Sequence, residues 1–445
     1  MIPEDDLLLL VMEVVAVQRR TLRLLFATQI VGGVGVTIGA SVGALLAADI
    51  AGVGLSGLAQ SALVVGAALF AVPAAAIVNR HGRRPSLAAG YFSAAAGSII
   101  VVLAAVRGSI PLLFAGFFFF GGANAASLQA RYAAVDLAPA PLRGRHLSWI
   151  VWATTLGAVV GPSLAPVAGT SLDNYGVPTL AGPFFFSALL FGLAALLLIL
   201  LLRPDPAVVA RGGVGDPSAR ASDTHRTGIR AALRVVASQA SARLGVVAMA
   251  VGHLVMVGVM AMTPVHIRGA GHDAAHTLSV VGVVLSFHIA GMFAFSPVVG
   301  WLTDRLGRRP VIFAGIALLL MACGLAGSAG HDTGRLAAGL TLLGLGWSAT
   351  MVAGSTLVSE SVPVELRASA QGLSDLAMGV AGASASAASG VIVGAWGYAT
   401  LTVLAALATT PLIVLASSFP NRVGDHHGVR ATSDRQRSAV NVSDR

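Results

Sequence analysis

The sequence predicts an all-α integral membrane protein with twelve transmembrane helices in two six-helix halves. Three observations predict it. Hydrophobic residues make up 56% of the 445 and charged residues only 11%, whereas a soluble globule averages about 25% charged. The apolar residues gather in twelve runs that approach or exceed the roughly 20 residues needed to cross a bilayer. A dense charged motif recurs at an offset of 225 positions, about half the chain.

The runs lie near 21–48, 55–78, 86–106, 110–136, 146–170, 178–202, 243–267, 276–302, 310–329, 334–359, 367–394 and 397–418. Strand alternation is absent, which argues against a membrane barrel. Residues 1–20 form an N-terminal cytoplasmic segment. Glu4, Asp5 and Asp6 precede a short apolar run there, the wrong charge and length for a signal peptide. The segment reads as an interfacial helix or a tail. The first six-helix half covers 21–202 and the second covers 243–418. Between them, 203–242 is polar, arginine-rich and punctuated by proline and glycine, a flexible cytoplasmic linker with a basic, amphipathic end. The polar tail 419–445 reads as disordered.

Charge sets the orientation. With the N-terminus in the cytoplasm, inside segments carry 25 arginines and outside loops carry Arg107, Arg268 and Arg335 alone. The positive-inside rule supports that placement, with both termini cytoplasmic in a multi-pass cell membrane protein. The net charge of +9 is spread over short loops, so it does not make a nucleic-acid surface. The chain has no lysine, hence no Schiff-base amine and no phosphate-binding Gly-x-x-x-x-Gly-Lys-Ser/Thr loop for a primary pump. One cysteine, Cys323, excludes an intrachain disulfide. No His/Cys/Asp set has the spacing of a metal site, and no cofactor is expected.

The repeat comprises Gly300-Trp301-Leu302-Thr303-Asp304-Arg305-Leu306-Gly307-Arg308-Arg309 and, earlier, Ala75-Ala76-Ile77-Val78-Asn79-Arg80-His81-Gly82-Arg83-Arg84. A second pair echoes it: Asp136 and Arg143 in loop 4–5 match Glu360 and Arg367 in loop 10–11 at an offset of 224. Two charged motifs at nearly one offset argue for duplicated halves. Here the chain resembles the major facilitator superfamily over about 21–418. Its signature Gly-x-x-x-Asp-Arg-x-Gly-Arg-Arg is complete in loop 8–9. The loop 2–3 copy has Ala75 for the glycine and Asn79 for the aspartate.

The resemblance implies a secondary transporter whose two halves rock around a central site, and a cytoplasmic gate built from these motifs. Charge-assisted bonds from the arginines to carboxylates and helix ends of the adjoining half would hold that gate. The gating candidates are Asp304, Arg305, Gly307, Arg308, Arg309, Glu360 and Arg367 in the second half. In the first half they are Asn79, Arg80, Gly82, Arg83, Arg84, Asp136 and Arg143. Because Asn79 carries no charge, the first-half latch is expected to be the weaker. Loop arginines that merely anchor orientation are the plainer alternative. Span five holds Gly157-x-x-x-Gly161-Pro162, similar to the motif of proton-coupled antiporters in the superfamily and also a plain packing face. It tilts the expected direction towards export.

Polar residues inside apolar spans are costly, which makes them candidates for substrate or proton. They are Gln29, Asn124, Arg131, His253, His288, Trp347 and Asp375. Asp375 reads equally as a proton carrier or a headgroup-level structural residue. Met256, Met260, Met262 and Met292 read as a soft substrate wall or as packing. The Phe117–Asn124 stretch lacks the span-four arginine of many drug–proton antiporters, and span one lacks their acidic residue unless Asp49 serves. The expected function is efflux of a hydrophobic or amphipathic small molecule in exchange for protons. The alternative is an uptake permease or facilitator for a small metabolite. Its surroundings are the lipid bilayer, with no nucleic-acid partner and no enzymatic activity.

Overall fold

The computed structural model describes residues 4–139, 142–211, 221–271, 273–363 and 366–418. The expected disordered tail lies outside them, as do the side chains of Asn79 and Arg143. Helices account for the architecture, with no strand among the described residues. In the first half these are α1 (Glu4–Ala51), α2 (Val53–His81), α3 (Arg83–Arg107), α4 (Ile110–Phe120), α5 (Gly122–Ala133), α6 (Arg143–Thr170) and α7 (Gly182–Leu201). Two short helices follow, α8 (Pro206–Arg211) and α9 (Ala221–Ser238). The second half comprises α10 (Ala240–Arg268), α11 (Ala274–Phe293), α12 (Ser296–Leu306), α13 (Arg308–Gly327), α14 (Thr333–Ser361), α15 (Arg367–Leu407) and α16 (Thr410–Ser417).

Among the described residues, eleven helical stretches are long and apolar enough to cross a membrane. One of them runs for 49 residues and contains two spans. It is broken at Gly397, whose φ of 84° and ψ of 172° are non-helical, so the count is the expected twelve. Two spans are composite. The fourth is α4 plus α5 around Gly121, and the eighth is α11 plus α12 around the turn at Ala294 and Phe295. Large apolar side chains such as Leu69, Leu103, Leu200 and Val298 stand exposed on the bundle surface, as a lipid solvent permits.

The repeated glycine explains the tight loops. Gly82 (φ 97°, ψ −178°) and Gly307 (φ 91°, ψ 164°) are each the single residue between consecutive helices. That region of backbone space is essentially restricted to glycine, so one residue reverses the chain in both halves.

Aromatic rings fill the first half. Phe117, Phe120, Phe184 and Phe191 are buried, with ring centroids 5.3–5.8 Å apart and near edge-on, the arrangement their quadrupoles favour. The second half relies on Leu319, Leu340 and Leu343, with a smaller cluster of Ile312, Ile316 and Leu412.

Two sequence expectations change. Residues 4–20, read as an interfacial helix or a tail, continue α1 without a break. The linker contains ordered helix on both sides of 212–220, which lie outside the described residues. Ala232 and Val236 of α9 are buried against Val358, Val362 and Ala370, because the amphipathic pattern gives the helix an apolar face to bury.

Small residues join the halves along two seams. On the α2–α15 seam, Ser61 Oγ donates to Ala383 O at 2.8 Å and Ser386 Oγ donates to Gly57 O at 2.9 Å. On the α6–α11 seam, Ser286 Oγ donates to Val159 O at 3.0 Å, and Gly282 packs against the Pro162 carbonyl. The hydrogen bonds between described residues of the two halves gather towards one end of the bundle, opposite the Gly82 and Gly307 reversals.

Candidate functional site

Between the halves lies a cavity of about 340 Å³. Thr37 and Ser41 of α1, Gln60 of α2, Asn124 of α5 and Pro162 of α6 line one side. His253, Met256 and Met260 of α10, Met292 and Phe293 of α11, and Gly382 of α15 line the other. No Asp, Glu or Arg contributes to this lining.

The hydroxyls are already engaged. Thr37 Oγ1 donates to Gly33 O at 2.9 Å and Ser41 Oγ to Ile38 O at 2.9 Å. The Gln60 and Asn124 carboxamides make no hydrogen bond to other described residues, so their donors and acceptors remain for a ligand. Trp347 Nε1 donates to His253 Nδ1 at 3.1 Å. That bond puts the proton of the neutral imidazole on Nε2. A Cβ added at Gly382 would stand 2.9 Å from Nε2, so this glycine makes room for the ring. The wall can therefore offer two carboxamides, an imidazole edge, thioethers and an aromatic ring. It suits an uncharged molecule with an apolar body and hydrogen-bonding edges.

At the end where the halves meet, Arg268 of α10 binds Asp49 of α1, Nη1 to Oδ1, at 2.5 Å. At the other end the ion pairs stay within each half. Arg83 grips Asp136 with two bonds, Nε–Oδ2 at 2.8 Å and Nη2–Oδ1 at 3.0 Å, and its Nη1 donates to Gln129 Oε1 at 2.8 Å. Arg308 pairs with Glu360 and lies 3.8 Å from Asp304 Oδ1. The repeated spacing has thus become a repeated ion pair, between the start of the third helix of each half and the end of its fourth.

A family model settles what this duplicated bundle is. The model for the Major Facilitator Superfamily matches residues 24–282 and 270–443. The chain belongs to the major facilitator superfamily.

Within the superfamily, the chain is 38% identical over 397 residues to the uncharacterized MFS-type transporter YdeG of Bacillus subtilis (strain 168), spanning 89% of this chain and 90% of that one. It is 29% identical over 405 residues to the riboflavin transporter RfnT of Brucella anthropi, spanning 89% and 96%. Among solved structures, the nucleoside transporter NupG superposes with a TM-score of 0.66 at 15% identity, covering 90% of this chain and 98% of that one. A bacterial homolog of the human lysosomal transporter Spinster, inward-facing and unoccupied, gives 0.67 at 16% identity, covering 91% and 98%. At those identities the likeness is one of fold. The protein is a multi-pass membrane transporter of a small molecule, and transporters of this superfamily are not enzymes.

Superfamily motifs and cavity divide the sequence candidates. His253 and Asn124 line the cavity, and Trp347 orients His253 from behind. Gln29 sits instead in a buried network. Its Nε2 donates to Tyr91 Oη at 3.0 Å, and its Oε1 accepts from Ser127 at 2.7 Å and Thr154 at 3.1 Å. His288 is fully buried and bonds Leu340 O through Nδ1 at 2.8 Å, tying α11 to α14 away from the cavity. Met256, Met260 and Met292 do line the cavity, while Met262 is buried and accepts a hydrogen bond from Ser56.

Arg131 and Asp375 lie outside the cavity lining. They belong to opposite halves and interact electrostatically without forming a salt bridge. Arg131 Nε is buried with no hydrogen-bond partner among the described residues.

The gating motifs also sort themselves. In this structure Arg83 and Arg308 bond within their own halves, to Asp136 and Glu360 at the ends of the fourth spans. Among the described residues the ion pair with Asp136 is made by Arg83. Arg305 lies over the Trp301 ring at 5.1 Å. Arg309 Nε donates to Ala416 O at 2.9 Å, and Arg367 Nε donates to Val362 O at 3.4 Å. Gly157 and Gly161 let α6 close on α1: added Cβ atoms would meet Ile30 O at 2.4 Å and Thr37 Oγ1 at 2.0 Å.

Three participants escaped the sequence reading. Asp205, in the linker, accepts the backbone N–H of Arg83 at 3.1 Å and of Arg84 at 2.7 Å, supplying a carboxylate at the α3 N-terminus. The Asp49–Arg268 pair and Gln60 were also missed. An acidic residue just ahead of α8 was the available signal for Asp205. Nothing in the spacing marked the other two.

Proposed function

We propose that this transporter exports an uncharged, amphipathic small molecule by alternating access, in exchange for protons, with the cavity between the halves as its binding site. The observation that carries the substrate class is a lining with free carboxamides, an imidazole and thioethers but no formal charge. The name of RfnT, a riboflavin transporter at 29% identity, supports a heterocycle with polar edges as one member of that class.

The arginine distribution supports a cytoplasmic Gly82 and Gly307 end. The bundle is then in an inward-facing state, latched outside by Asp49 and Arg268. The Gly157/Gly161/Pro162 surface supports export. It lies where α6 meets α1 and α11, so the helix that must slide during rocking presents a smooth face. His253 is the titratable group in the lining and the proton carrier of this account. Arg131 and Asp375 form the inner closure when the halves rock the other way.

The absence of a carboxylate from the lining favours a facilitator as the second reading. Inverted vesicles with an acidic interior separate the two. Under antiport, a panel of neutral heterocycles and hydrophobic drugs contains compounds that dissipate the proton gradient, and His253→Gln abolishes the response while the protein remains inserted. Substrate flux without gradient dissipation supports the facilitator.

A further inference from the structure

A second cavity, of about 360 Å³, lies away from the central one, where α1 and α6 approach the arginine-rich end. Arg19 and Arg23 of α1 and Arg145 of α6 line it together with the rings of Phe26 and Trp149. The two rings are 5.8 Å apart, tilted by 58°. The three arginines are exposed and hold no ion pair or hydrogen bond among the described residues. Elsewhere at this end of the bundle, Arg83 and Arg308 are paired with carboxylates.

The depth is informative. Trp149 opens the apolar span of α6, and Arg145 and His146 lie one turn before it. On α1 the apolar run follows Arg23. The guanidinium groups therefore sit at headgroup level with the aromatic pair just beneath, at the depth of the acyl boundary. A further cavity of about 570 Å³ shares Arg19 and Arg23 on the other side of the same α1 turn and runs to Leu24 and Leu201.

The geometry points to a binding site for the headgroup of an acidic phospholipid. Guanidinium forks match phosphate oxygens bidentately, and unpaired arginines have that capacity free. Basic pockets between membrane helices at the cytoplasmic leaflet are where anionic headgroups lodge. The Phe26 and Trp149 surface would pack the first methylenes of the chains. Arginines serving only as orientation anchors would need neither the cavity nor the aromatic pair beside them.

The test needs no knowledge of the transported substrate. Thermal unfolding of the purified full chain in detergent is followed with phosphatidylglycerol, phosphatidylethanolamine or inorganic phosphate added. Native mass spectrometry counts retained lipid. Phosphatidylglycerol is expected to raise the midpoint by a few degrees. Arg19→Gln/Arg23→Gln/Arg145→Gln should lose that shift and the retained lipid, whereas Arg107→Gln at the opposite end keeps both. An undiminished shift in the triple variant overturns the site. An equal shift from phosphatidylethanolamine overturns headgroup charge as the determinant, and an equal shift from inorganic phosphate overturns a lipid as the occupant. If the triple variant proves unstable, retained lipid in Arg145→Gln alone decides: undiminished retention overturns the proposal.

Discussion

Arg268 of the second half reaches Asp49 of the first, Nη1 to Oδ1, at 2.5 Å. Both side chains are about 40% exposed, and an exposed pair contributes only about 0.2–1 kcal/mol. That is the scale suited to a latch that must open in every cycle. Asp49→Asn should raise the outward-open population by no more than roughly five-fold. Cysteine labelling of the central cavity from the outer side measures it. Unchanged labelling would remove the pair from the gate.

Asp136 and Glu360 occupy matched positions, yet they are not equivalent. The Arg83–Asp136 pair is bidentate and only 14–16% exposed, while the Arg308–Glu360 pair is 27–50% exposed. Asp136→Asn should cost about 1–3 kcal/mol and Glu360→Gln less than about 1 kcal/mol. Thermal unfolding of both variants reads the difference. An equal loss in the two variants would refute it.

Gly82 and Gly307 share a backbone conformation but not their surroundings. A Cβ at Gly82 would stand 2.4 Å from Asp205 Oδ2, whereas at Gly307 the nearest contact is Pro310 Cδ at 3.9 Å. Both alanine variants carry backbone strain of about 1–3 kcal/mol. Gly82→Ala should lose further stability by displacing the carboxylate that caps α3. Comparing the folded yield and unfolding midpoint of the two variants checks this.

Gly382→Ala would push against His253 without touching the gates. Overpacking of this kind costs about 1–3 kcal/mol of stability, and a displaced His253 ring no longer meets the substrate in place. Transport in vesicles should fall while the Asp49–Arg268 latch remains intact. Normal transport would place the substrate elsewhere.

His146 Nδ1 lies 3.1 Å from Gln18 Nε2 beside the basic cavity. Burial first, and then the charge of Arg145, hold its pKa below the ordinary imidazole value of 6.5. Arg19, Arg23 and Arg145 are the charged groups around that cavity. A bound anion favours the protonated ring, so proton uptake accompanies lipid binding and affinity rises as pH falls below the ordinary range. His146→Gln should flatten this dependence while retaining lipid. Binding that strengthens with rising pH would contradict it.

Fold legibility came from physics with a long sequence footprint. Twelve apolar runs and the 225-residue echo carried the bundle and its duplication. The echo also identified Asp136 and Glu360, because like spacing in like halves yields like pairs. Asp49 and Arg268 had no echo: a contact between halves joins residues that the duplication does not match. Asp205 was hidden in a segment whose composition reads as linker. Gln29, polar in an apolar span, was indistinguishable in sequence from a ligand contact. Only its three partners show that its hydrogen bonds are spent within the first half.

The measurement closest to the central claim uses spin labels in two pairs, Tyr175 with His331 at the latched end and His81 with Leu306 at the other, in wild type and in Asp49→Asn. All four side chains are exposed. Alternating access predicts that the variant lengthens the Tyr175–His331 distance and shortens the His81–Leu306 distance in the same population. A lengthened outer distance with the inner one unchanged would mean local fraying of one end, and would contradict two halves rocking about a central cavity.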